Sequence, residues 1–187
     1  TLTGTAGTAA FSTISGSIPT GDDVLAAWGR LWVSKDNTVW VSAILDETTT
    51  EGTIQLTKVF RDSDVVVGIE SFQDTLVIFG RNHIILYANP ELVDLVTPAS
   101  NGMELREVVP GYGLLYRDAV CNTGDDLVFV HSGGLHSLGR AIAAGYQPTN
   151  NVSGRYDRIL SRYINDEGIF GIRLVYDRLA DHILAFF

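Results

Sequence analysis

Leu76–Ala88 reads LVIFGRNHIILYA: an apolar run, a break at Gly80-Arg81-Asn82, and a second apolar run. Short apolar segments rich in Val, Ile and aromatic residues, parted by a Gly-containing break, spell a β-hairpin. The pattern recurs at Leu31–Ser42 (LWVSKDNTVWVS), Leu127–Gly139 (LVFVHSGGLHSLG) and Leu174–Phe187 (LVYDRLADHILAFF). The four units start at 31, 76, 127 and 174, so they are 45, 51 and 47 residues apart. Strand-based self-similarity at roughly 40–50 residues predicts an all-β, β-propeller-like fold built from repeated antiparallel hairpins.

The regions around these hairpins are read outward from them. Thr1–Asp23 is rich in Thr, Gly, Ala and Ser and reads as a linker or extended arm. Residues 24–187 read as the propeller-like domain, with about four units. In Leu31, Val33, Val39 and Val41 the apolar positions alternate, as in a strand with one buried face. Asp46–Gly52 (DETTTEG) reads as an acidic loop, while Ile54–Phe60, Val65–Ile69 and Leu114–Val120 read as strands. Gly111 and Gly113 flank Tyr112, which predicts a tight turn or a close backbone approach. Arg155–Ile164 is the one segment with a clear helical pattern, and Ala141–Ala144 reads as a helical turn or loop. A propeller needs about four blades of four strands. The chain opens without Met and stops inside the apolar run His182–Phe187, so a longer polypeptide is expected.

Composition narrows the function. The chain has 187 residues, 45% of them hydrophobic and 19% charged, which is a globular balance. Its apolar runs are too short to span a membrane, and Thr1–Asp23 has no basic n-region followed by an apolar stretch. The net charge is −9. Phosphate neutralisation by such a chain is poor, so tight nucleic-acid binding is disfavoured. An acidic surface along which DNA slides without adhering is compatible with it.

Several residue constellations are candidates for chemistry. Cys121 is the single cysteine, follows Ala119-Val120, and reads as a buried structural thiol. His131 and His136 stand five apart across Gly133-Gly134, so their rings can approach, yet no third metal ligand is indicated. Asp22-Asp23 and Asp125-Asp126 read as turn-forming Asx pairs in preference to calcium ligands. Arg155, Arg158 and Arg162 share one helical face and suit acids on a neighbouring blade or subunit. Asn151-Val152-Ser153 fits a glycosylation sequon by composition alone. Ser34–Trp40 is similar to the Asp-box turn of sialidase-like propellers, but it lacks the Gly and is not repeated. These motifs nominate no catalytic, metal or cofactor residue.

The hairpins together resemble a family. GRLWVSKDNTVWVSAILD (Gly29–Asp46), VVVGIESFQDTLVIFGRNHIILY (Val65–Tyr87) and VVPGYGLLYRDAVCNTGDDLVFVHSGGLHSLG (Val108–Gly139) are similar to successive units of bacteriophage tail nozzle proteins. That group includes tail tubular protein B and the packaged-DNA stabilisation proteins. The resemblance covers Trp28–Phe187. It implies a non-enzymatic virion component without cofactors, made in the host cytoplasm and assembled into the phage tail. It also implies a homohexameric ring beneath the tail adaptor that encloses the DNA exit channel, retains the packaged genome and permits its ejection. The partners implied are other copies of the chain, the adaptor and other tail proteins, and passing DNA held without sequence preference. The alternatives are a propeller that presents loops to a protein or glycan, and a sialidase-like glycosidase.

Overall fold

The computed structural model describes residues 17–57, 59–60, 64–93, 102–132, 134–144, 152–164 and 171–187. The chain forms antiparallel sheets in sequence order. The first comprises β1 (Asp23–Ala27), β2 (Arg30–Lys35), β3 (Thr38–Ala43) and β4 (Asp46–Gln55), and the second β5 (Val66–Phe72), β6 (Thr75–Gly80), β7 (His83–Ala88) and β8 (Glu104–Pro110). The third holds β9 (Val120–Asn122), β10 (Leu127–His131) and β11 (Gly134–Ser137), and the fourth β12 (Arg173–Asp177) and β13 (His182–Phe186). Each strand pairs with the next, so every sheet is a meander. All four hairpins read from the sequence are present, as β2–β3, β6–β7, β10–β11 and β12–β13. The fold is the expected all-β, propeller-like one.

The repeat is visible in hydrogen bonds as well as in spacing. In the first sheet Thr38 faces Gln55, and the next amide, that of Leu56, donates to the carbonyl of Asn37 at 3.0 Å. In the second His83 faces Pro110, and the amide of Gly111 donates to the carbonyl of Asn82 at 2.8 Å. The two hairpin-turn asparagines therefore end their outer strands in the same way.

Stacking explains why some strands read as continuous apolar runs and others alternate. In β6, residues Thr75–Gly80 are all buried. Leu76 and Ile78 enter a core with Trp32, Val39 and Val41 of the first sheet, while Val77 and Phe79 enter a core with Leu127 and Phe129 of the third. A sheet buried on both faces needs apolar residues at every position. The fourth sheet turns Leu174, Tyr176, Ile183 and Ala185 to the second core and leaves Val175, Leu184 and Phe186 exposed, so it alternates.

Five segments differ from their sequence expectation. Asp46–Gly52 is strand, not loop: as an outer strand it needs only backbone pairing to β3, and its Thr-rich polar side chains suit exposure. Strand pairing ends at Gln55, and the amides of Val59 and Phe60 both donate to the Leu56 carbonyl in place of continuing the strand. Leu114–Ala119 is a turn that packs apolar side chains between sheets, and pairing begins at Val120. Helix α1 spans Leu138–Ala144, longer than the single turn read from Ala141–Ala144. The C-terminal helical segment is a 3-10 turn at Gly154–Tyr156 followed by α2 at Asp157–Ile164.

Candidate functional site

The first strands of successive sheets converge. β1 lies beside β5, and β9 beside β12. Asp22, Val67, Asp118 and Arg173, at or just before the starts of these four strands, line one crevice of about 490 Å³. This is the upper, axial mouth of the propeller-like array, a common position for ligand sites. Phe186, Phe187 and Tyr116 give it aromatic walls.

Charge in the mouth is mixed. Arg117 donates to the Asp22 carbonyl and lies 3.5 Å from the Asp118 carboxylate. Arg173 is exposed beside them. Just below, the Asp23 carboxylate accepts the amide of Ile69 at 2.8 Å, joining the first two sheets. Burial pushes the Asp23 carboxyl above its usual range, partly opposed by the Ile69 and Val24 amides. Burial also raises Glu70, and the nearby Asp23 carboxylate adds to it. With Asp22, Asp118, Arg117 and Arg173 in its lining, the mouth can hold polar or charged groups.

The residues singled out from sequence lie elsewhere. Cys121 is buried in β9, and burial pushes its thiol up to about 11, so it is protonated and unreactive. His131 and His136 do approach, with ring centroids 5.8 Å apart. Tyr112 completes the cluster at 6.2 and 5.5 Å from the two rings, and Phe129 stacks on His136. Sequence reading did not connect Tyr112 to this pair; its setting between two glycines was the available signal. Neither ring nitrogen of His136 has a hydrogen-bond partner, and burial, then His131, lower its pKa to about 4. No group of three metal-binding side chains occurs among the described residues.

Of the paired acids, Asp23 bridges sheets and Asp126 accepts the hydroxyl of Ser137 and the amides of Leu127 and Gly139 (2.8 and 3.1 Å). Both act as structural acceptors. Arg158 and Arg162 are exposed on α2, whereas the side chain of Arg155 and the sequon residue Asn151 lie outside the described residues. Within the Asp-box-like stretch, Asn37 ties the β2–β3 turn to the next sheet. It donates to the Asp64 carbonyl at 2.9 Å and accepts the Val66 amide at 3.1 Å.

Comparison with known proteins gives the architecture a family. No curated protein matches the chain. A family model described as bacteriophage P22 Gp10, beta-propeller, matches residues 1–170. The stacked meander sheets and this match, which spans most of the sequence, place the chain in that family of phage structural proteins.

Proposed function

We propose that the chain is part of a subunit of the short-tail nozzle, a ring that encloses the DNA exit channel, retains the packaged genome and lets it leave. Membership in the P22 Gp10 propeller family is the observation that carries this reading. The kinship with tail tubular protein B belongs to the same proposal and rests on the three sequence units quoted above. Its role is mechanical and electrostatic. Stacked sheets with two shared cores make a stiff wall, and a net charge of −9 disfavours adhesion of DNA phosphates to it. The protein acts without cofactor or catalysis, as part of the virion, after synthesis in the host cytoplasm.

Cryo-electron microscopy of particles carrying the full-length protein tests this. A six-fold ring around a central channel, with this domain in its wall, is the expected image. A protein found only as a solitary propeller, never associated with tails, overturns the proposal. It would move attention to the axial mouth as a partner-binding site.

A further inference from the structure

The two ends of the stacked sheets are built by the same kind of tight turn but differ in the side chains those turns expose. The strand starts converge on the axial mouth, so the first turn of each sheet lies at the far, lower end. The lower end also holds the β3–β4 turn, because Leu45 donates its amide to the Gly29 carbonyl at 2.7 Å. Arg30 donates to the Val93 carbonyl and brings the segment after β7 to the same place.

At the upper end the hairpin turns are polar: Asp36-Asn37 and Arg81-Asn82. At the lower end the Gln73-Asp74 and Thr123–Asp126 turns are polar, but three other segments expose aliphatic side chains. Ile44 is 62% exposed, Leu45 87%, Leu92 54% and Leu179 100%. Leu45 also sits at φ 54°, a backbone region that favours Gly, Asn or Asp and disfavours Leu. Nothing in the fold rewards a leucine there, since its side chain is almost wholly in solvent. Around these tips the exposed acids Glu47, Asp74, Glu91, Glu104, Asp125 and Asp181 outnumber the exposed bases Arg140 and Arg178.

We infer that the lower end is a docking surface for another tail protein, one that presents an apolar surface rimmed by Lys and Arg. Aliphatic tips supply contact area and the acidic surround selects a basic rim. The acids oppose an anionic membrane as the target, and the spread of tips over three sheets fits a broad protein surface. This inference rests on the proposed tail location and adds the face by which the domain is held there.

The test uses the full-length protein and purified tails that lack it. Leu45→Gly relieves the backbone conformation, so its Tm is expected to equal or exceed the wild-type value while its retention on tails falls. Combined with Ile44→Ser and Leu179→Ser, the loss is expected to reach at least about tenfold. Glu47→Lys with Glu91→Lys, on exposed side chains, is expected to weaken retention comparably and to leave Tm unchanged. Rising salt is expected to weaken wild-type retention. Variants that fold and are retained like wild type overturn the inference and leave the tail reading standing. Failure of the wild type itself to bind tails overturns the tail reading instead. Equal loss of binding to neutral phosphatidylcholine vesicles, with tail retention intact, would assign the tips to lipid and overturn the protein-docking inference.

Discussion

Nδ1 of His83 lies 2.9 Å from the carboxylate of Asp64, which is only 4% exposed. The same carboxylate accepts the amides of Val65, Arg81 and Asn82 at 2.9 to 3.0 Å. Asp64 thus closes the β6–β7 turn from the segment that enters the sheet. Asn37 holds that segment to the first sheet through the Asp64 carbonyl. One acid fastens a hairpin turn, a strand start and, through its backbone, the preceding blade.

Replacing Asp64 by Ala strands these donors, and a loss of about 2–4 kcal/mol is expected from urea unfolding. Burial alone would raise the carboxyl, but the bonds from His83, Asn82, Val65 and Arg81 together hold it below its ordinary value. A depressed carboxylate contributes stability that is present above its unfolded pKa and lost as pH falls through the folded one. The Asp64 contribution is therefore complete above about pH 3.8 and drains as pH falls below it. Unfolding midpoints for wild type and Asp64→Ala that stay as far apart at pH 2 as at pH 7 would contradict this account.

His136 gives an acid sensitivity of the same sign, at milder pH. Its folded pKa of about 4 lies below the ordinary imidazole value of 6.5, so the unfolded chain binds the proton first. Stability is complete above about pH 6.5 and drains as pH falls from there toward 4. His131 is lowered too, by burial against a backbone hydrogen bond to Gly113 that raises it. His136→Phe removes two unpartnered nitrogens and keeps the stacking on Phe129. The variant is expected to flatten the Tm profile between pH 7 and pH 4.5, with a difference on the order of 2 kcal/mol at the acid end. Parallel profiles would show that the imidazole titrates normally.

The two glycines around Tyr112 differ in what they supply. A Cβ on Gly113 would stand 2.2 Å from the carbonyl oxygen of Arg81 and 2.4 Å from that of Gly80, both backbone atoms. Gly111 has φ 80° with nothing nearby. Gly113→Ala must push the β6–β7 turn away from the segment joining β8 to β9 and is expected to cost more than about 3 kcal/mol. Gly111→Ala meets only the backbone penalty, about 1 kcal/mol. Chemical denaturation of the two variants compares them directly, and equal costs would reject the distinction.

The architecture was legible wherever burial imposed a pattern. LVIF and HIILY are continuous because the second sheet is covered on both faces, and the turns between them carry Gly, Asn or Asp. Asp46–Gly52 was read as loop because an outer strand held by backbone bonds leaves little mark in its side chains. Leu114–Val120 reads as strand because filling the space between sheets demands the same apolar residues as pairing does. At the site, the proximity of His131 and His136 followed from the hairpin. The axial mouth did not, since Asp22, Asp118 and Arg173 meet only through the stacking of sheets far apart in sequence.

Phe79 tests whether that stacking holds the sheets together. Its ring lies 5.4 Å from Phe129 of the third sheet, fully buried, while its neighbour Ile78 points to the first sheet's core. Two adjacent residues on one strand thus anchor two different neighbours. Phe79→Ala is expected to cost about 3–5 kcal/mol and Ile78→Ala about 2–5. The location of the damage separates them. Hydrogen exchange should quicken in β10 and β11 for the first variant and in β2 and β3 for the second, each beyond the change in the opposite sheet. If both substitutions loosen every sheet equally, the cores act as one unit, and the division of β6 between them carries no separate energetic weight.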